Sequence, residues 1–191
     1  MAAKAFALKK ELRAWARAAA AATDAAYRRS ASRAIAAAVL AHPAYTAAKT
    51  VFVYRGAPFE PDTDAIIAAA LASGRRVCAP RTREAPRMDA VLFSADTVFC
   101  PGPFGIPEPA GAPLPPGEID LALVPCLAAS PDGVRLGHGG GYYDFFLRGC
   151  PAKRLCLCFS ALLKAEIPAE PWDIPMDAVI AETGVYPPPR V

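Results

Sequence analysis

Histidine is scarce in this 191-residue chain: His42 and His138 are the only two. With so few bases and no G-x-S-x-G to hold a nucleophile, Ser/His/Asp hydrolysis is poorly supported. No glycine is followed by lysine, which excludes the G-x-x-x-x-G-K-[ST] phosphate loop, and the absence of H-E-x-x-H excludes zinc proteolysis. None of the six cysteines, at 78, 100, 126, 150, 156 and 158, forms a C-x-x-C pair. They lie mostly in apolar runs and read as buried, reduced thiols rather than metal ligands or redox pairs. No apolar stretch is long enough for a bilayer, and the first residues, with Lys4, Lys9, Lys10, Glu11 and Arg13, do not read as a secretory signal. A cytoplasmic protein without a membrane partner is expected.

What is present bounds the answer further. A hydrophobic content of 54% with 20% charged residues excludes a disordered chain. The length fits one domain, residues 1–191, with a core of its own. Net charge is +3, but it is polarised: up to Arg33 the chain holds Lys4, Lys9, Lys10, Arg13, Arg17, Arg28, Arg29 and Arg33 against Glu11 and Asp24. Nucleic acid, a nucleotide or a small anion would each exploit such a segment, as would plain solvation of a helical face.

Leu8, Leu12, Trp15 and Ala19 recur at helical spacing between Phe6 and Ala22, while Lys9, Arg13 and Arg17 line up at four-residue intervals on another face. A second helix is predicted over 24–41, capped by Thr23 or Asp24 and ended by His42-Pro43. Short β-rich runs follow at 50–54, 75–80, 89–93, 120–125, 154–159 and 177–182. Between the first two, "DTDAIIAAALASG" reads as a crossover helix opened by a capping aspartate, so these strands are parallel. The expectation is an α/β layered sandwich with a mostly parallel central sheet flanked by helices. Residues 100–117 hold seven prolines and four glycines, too many for helix or interior strand, and read as a long loop, equally a surface connection or a wall of a binding site.

Ligands of open parallel sheets collect beyond the carboxyl ends of the strands, which selects "RLGHGGGYYDFF" after the fourth run. Four glycines in five positions, Gly137, Gly139, Gly140 and Gly141, are costly to order. It is not a full G-x-G-x-x-G, because Tyr142 stands where the third glycine belongs. Such a turn, preceded by Arg135, lets main-chain N–H groups approach an anion, and anion binding is favoured over a merely structural turn. No aromatic RNP-like strand supports RNA recognition.

"VPCLAASPDGVRLGHGGGYYDFFL" resembles the signature of the 5-formyltetrahydrofolate cyclo-ligase family. "KKELR", "VYRGAPFEPDTDAII", "PRTREAPRMDAVLF", "FGIPEP" and "WDIPMDAVIAET" resemble that family's other landmarks in order, so the resemblance covers nearly the whole chain. It implies ATP-dependent, Mg²⁺-requiring cyclisation of 5-formyltetrahydrofolate to 5,10-methenyltetrahydrofolate through a phosphorylated formyl intermediate, by a monomer with no nucleic-acid partner. By resemblance, Lys9, Lys10 and Arg13 hold ATP phosphates, and Arg135, Leu136, Gly137, His138, Gly139, Gly140, Gly141, Tyr142 and Tyr143 wrap the transferring group. Arg55 and Glu60 bind the folate, sharing the stretch from His138 to Tyr142 with ATP. Arg135 and Asp144 are the implied catalytic pair. Asp144 and Asp173 match the Mg²⁺ ligands, with Asp177 close enough to compete for the second assignment. His138 stands where relatives carry arginine or methionine, and Gly140 where some carry lysine, so a phosphate-contacting side chain is missing; a protonated His138 would donate to phosphate instead. Two other readings remain: a non-catalytic folate- or nucleotide-binding protein of the same fold, and a nucleic-acid-binding protein using its basic first helix.

Overall fold

A computed structural model describes residues 2–57 and 59–187, with side chains from Phe6 onward; Lys4 lies outside the described side chains. The chain opens with two helices, α1 (Ala2–Ala22) and α2 (Ala25–Ala41). Asp24 caps α2, accepting the Tyr27 amide at 2.7 Å. His42 ends α2 and its Nδ1 accepts the Ala44 amide at 3.1 Å, opening a short helix α3 (Pro43–Ala47) with proline in the first turn.

Strand β1 (Thr50–Phe52) follows, then helix α4 (Asp64–Ala72) and β2 (Arg76–Thr82). Asp62 accepts the Asp64 amide at 2.7 Å, so the expected aspartate does serve the helix start. β1 and β2 are parallel, as the crossover predicts. β3 (Met88–Phe93) is antiparallel to β2. The five residues between them are far too few for a parallel crossover, which needs a dozen or more.

The proline-rich stretch expected to be a long loop is more ordered than that. β4 (Phe99–Pro101) and β5 (Pro107–Pro109) pair as a hairpin, and β6 (Pro113–Leu114) adds to the edge of the main sheet beyond β3. Proline, which has no N–H to donate, is tolerated on such edges. The chain then returns through β7 (Leu121–Pro125), a small hairpin of β8 (Ala128–Ala129) and β9 (Arg135–Leu136), helix α5 (Tyr142–Arg148), β10 (Lys153–Leu157), β11 (Ala178–Ala181) and β12 (Gly184–Tyr186).

The main sheet has the order β12-β11-β10-β7-β1-β2-β3-β6, parallel from β11 to β2 and antiparallel at both edges. This is the expected α/β sandwich with a mostly parallel sheet. Its core is built from the fully buried runs Val51–Val53, Leu121–Val124 and Leu155–Cys158, with Ile35 and Val39 of α2 among the buried residues packed with them. Burying both faces of a parallel sheet requires such unbroken apolar strands. Five cysteines are buried free thiols, as expected, whereas Cys100 is exposed on the β4 edge. No helix among the described residues is long and apolar enough to cross a membrane.

The order contains one reversal: from β1 the chain steps outward to β2 in one direction and returns to β7 on the other side. The crevice between diverging connections at such a switch point is where an open α/β sheet receives ligands.

Candidate functional site

A cavity of about 1700 Å³ lies there, walled by α1, the segment after β1, the turn after β9 and the crossover between β10 and β11. Every residue singled out above as a site candidate lines it except Lys10 and Asp177. Lys10 is exposed; Lys9 and Arg13 share a helical face at a spacing of four, and their neighbour points elsewhere.

Arg13 donates from Nε to the Gly137 carbonyl at 2.9 Å, tying the first helix to the glycine-rich turn. Gly139 and Gly141 have φ of +103° and +73°, which is why glycine recurs there: a side chain at either is strained. A Cβ on Gly139 would also stand 3.4 Å from the Arg13 guanidinium carbon. The turn thus brings bare backbone against a fixed cation. α5 begins at Tyr142 and spans only seven residues, so the turn's own amides dominate the attraction for an anion.

Arg135 is buried and donates from Nη2 to Oδ1 of Asp144 at 2.7 Å, while its buried Nε has no hydrogen-bond partner among the described residues. A buried donor without an acceptor is costly. Oδ1 of Asp144 also accepts the amide of Ile174 at 3.1 Å. That bond puts Asp144 beside Asp173, the residue preceding Ile174.

Asp173 is anchored the same way, through one oxygen. Its Oδ2 accepts from Lys9 Nζ at 2.6 Å and from the Glu170 amide at 2.7 Å. In both carboxylates the second oxygen accepts no hydrogen bond from the described residues. Adjacent one-point-anchored carboxylates fit a hard divalent cation that keeps several waters. No group of three or more metal-ligating side chains exists among the described residues, so the remaining ligands of such an ion would be water and ligand oxygens. Asp177 lies elsewhere, accepting from Arg154 at 2.8 and 3.0 Å and lining a separate cavity.

In the segment after β1, Glu60 is buried, with Oε2 accepting the Ala57 amide at 2.8 Å and Oε1 facing His138 Nε2 at 3.4 Å. His138 therefore reaches from the glycine turn toward Glu60. Burial first, and the Glu60 charge second, push the phenols of Tyr54 and Tyr143 up, so both remain protonated. Arg55 lies 3.7 Å from Asp64 and covers the Phe99 ring at 4.8 Å, which restrains it at the rim.

Sequence reasoning missed Glu170, whose Oε2 accepts from Lys9 at 2.7 Å; a lone acid between prolines carries no local signal. Of the two readings open for the proline-rich segment, a surface connection or a wall of a binding site, the cavity favours the second. Phe104 lines the cavity and meets Tyr142 edge-on at 5.8 Å.

The chain matches the model of the 5-formyltetrahydrofolate cyclo-ligase family over residues 5–182. It is 34% identical over 142 residues to the 5-formyltetrahydrofolate cyclo-ligase of Mycolicibacterium smegmatis, covering 69% of this chain and 73% of that one. The mouse protein of the same description is 28% identical over 162 residues, covering 75% and 78% of the two chains. The solved structure of the Aquifex aeolicus 5,10-methenyltetrahydrofolate synthetase superposes with a TM-score of 0.86 at 26% identity, covering 96% of this chain and 94% of that one.

Proposed function

The chain belongs to the 5-formyltetrahydrofolate cyclo-ligase family, and from that premise we propose that it converts 5-formyltetrahydrofolate to 5,10-methenyltetrahydrofolate at the expense of ATP. The observation that carries the reading is the convergence, in one cavity, of the Arg13-anchored glycine turn, the Asp144-paired Arg135 and the buried Glu60. A phosphate cradle and a pterin-binding acid face a common space.

The chemistry needs both. The formyl oxygen on N5 is a poor leaving group, so it attacks the γ-phosphorus of ATP and the bond to ADP breaks. N10 then attacks the activated formyl carbon, its proton passes to the departing phosphate, and the C–O bond breaks to leave the methenyl bridge. Such phosphoryl transfer depends on positioning and charge stabilisation more than on a strong base.

Arg135 is placed to hold the transferring group, with Asp144 fixing its guanidinium plane; Arg13 and the turn amides receive the triphosphate. Asp144 and Asp173 would hold Mg²⁺, which supplies charge neutralisation at the phosphates. Glu60 accepts hydrogen bonds from the pterin amine groups and Arg55 restrains the substrate at the rim. The test is absorbance of the methenyl product after mixing protein, 5-formyltetrahydrofolate, ATP and Mg²⁺. Product is expected only with all four present and is strongly reduced in Asp144→Asn; verified binding of both substrates without product would overturn the reading in favour of a binding protein.

A further inference from the structure

Lys9 is 5% exposed. A buried ammonium cannot rely on water and must be held by counter-charges. It has two, Glu170 Oε2 at 2.7 Å and Asp173 Oδ2 at 2.6 Å. One of them is the carboxylate assigned above to the metal. A dication arriving at Asp173 therefore draws on the same anion that holds Lys9, and the two cations repel across it.

We propose that Glu170 is a positioning residue that resolves this conflict: its carboxylate holds the Lys9 ammonium at the phosphate end of the cavity while Asp173 turns its other oxygen to the divalent cation. The inference rests on the function proposed above. Three features support it. Glu170 acts on Asp173 and Lys9 through different atoms, because its backbone amide donates to Asp173 Oδ2 at 2.7 Å while its side chain receives Lys9. The turn is closed by the Asp173 amide donating to the Glu170 carbonyl at 2.9 Å. Losing the side-chain charge therefore leaves the aspartate anchored.

The second feature is the charge count. Lys9 and Arg135 stand against Asp144, Glu170 and Asp173, one net negative charge, and without Glu170 the corner is neutral before the dication enters. The third is placement. Lys9 lies one helical turn from Arg13, which is tied to the glycine turn, so an ammonium held by Glu170 stays beside the anion cradle. Glu170 touches no reacting atom in this account. It acts through Lys9 and Asp173.

The two sides of the conflict predict opposite signs, which a merely structural role does not. Mn²⁺ binding would be followed by electron paramagnetic resonance, with and without a non-hydrolysable ATP analogue, on the wild type, Glu170→Gln, Glu170→Asp and Lys9→Met. Glu170→Gln is expected to weaken Mn²⁺ about 5- to 20-fold, as the loss of one nearby charge does at partly screened sites, and Glu170→Asp to recover much of that. Lys9→Met, which removes the competitor for Asp173, is expected to tighten Mn²⁺ while weakening the analogue.

In the coupled assay, Glu170→Gln raises the Mg²⁺ requirement and the ATP KM by more than it lowers kcat. Unchanged Mn²⁺ affinity in Glu170→Gln, weaker Mn²⁺ binding in Lys9→Met, or no Mn²⁺ binding by the wild type in either condition would each overturn the proposal. The metal arm needs no turnover. A wild type that binds Mn²⁺ with these signs but makes no methenyl product sinks the proposed function and leaves the role of Glu170 standing. Should Glu170→Gln fail to fold by circular dichroism, Glu170→Asp and Lys9→Met carry the same test.

Discussion

The guanidinium of Arg135 donates to the carboxylate of Asp144 at 2.7 Å, with side-chain exposures of 5% and 22%. The pair thus joins the strand before the glycine turn to the helix after it, and the amide of Ile174 grips the same carboxylate oxygen from a third segment. Arg135→Lys keeps the charge but loses the planar fork that allows one nitrogen to hold Asp144 while another faces a ligand. We expect kcat/KM to fall about 100- to 1000-fold, the usual loss when one preorganised donor to a developing charge is removed. Asp144→Asn should cost a similar factor. Because both belong to one network, the double variant should lose much less than the product of the two factors. Strict additivity in steady-state rates would show that the pair does not act as a unit.

Glycines separate geometric strain from site function. Gly139→Ala is strained by its φ of +103° and presses a methyl toward Arg13, while Gly74→Ala is strained by a φ of +74° with nothing within 4 Å of its Cβ. Each should lower stability by about 1–2 kcal/mol, the cost of a side chain in the left-handed region. Only Gly139→Ala should raise the ATP KM. Urea unfolding and steady-state kinetics on the same preparations check both halves; an equal ATP KM in the two variants would remove the turn from nucleotide binding.

The parallel sheet, its crossover helices and the glycine turn were legible because each rests on local pattern: apolar runs, caps, and glycine where φ is positive. The pairing of Lys9 with Arg13 was legible for the same reason, since residues four apart on a helix face the same way. Lys10 entered through the family resemblance alone, and the helix places it on another side from Lys9 and Arg13. Glu170 was not legible, because its meaning depends on Lys9, 161 positions away. The ordered strands within residues 99–114 were hidden by proline, whose lack of an N–H argues against interior strands and says nothing against edges. The antiparallel β2–β3 pair was within reach, as the connection is too short for a crossover.

His138 tests which ligand the turn's single imidazole serves. It was expected to donate to phosphate when protonated, in place of the basic side chain of relatives, yet its Nε2 stands 3.4 Å from Glu60 Oε1 and its ring 6.1 Å from Phe59. An imidazole donating in that position occupies a Glu60 oxygen to which the proposed function assigns the pterin amines. His138→Ala should therefore change the 5-formyltetrahydrofolate KM by several-fold, about what one hydrogen bond contributes, and leave the ATP KM within about twofold. A change confined to the ATP KM would return His138 to the phosphate.

Outside the cavity's lining, Asp89 gives a stability prediction whose sign follows from its neighbours. Burial pushes its carboxyl up, but hydrogen bonds and charge from Arg81 at 3.0 Å and Arg83 at 2.6 Å outweigh that and leave it below the ordinary value. A carboxyl depressed in the folded state contributes stability that is complete above its unfolded value, near pH 4, and is lost as pH falls through the folded value. Asp89 is 24% exposed and Arg83 51%, so solvent screening limits the contribution to about 1 kcal/mol or less. Asp89→Asn should thus lower the urea midpoint at pH 7 and converge on the wild type as pH drops from about 4 toward 2. A deficit of the same size at pH 7 and pH 2 would mean that packing around β2 and β3, rather than the ion pairs, is what the substitution removes.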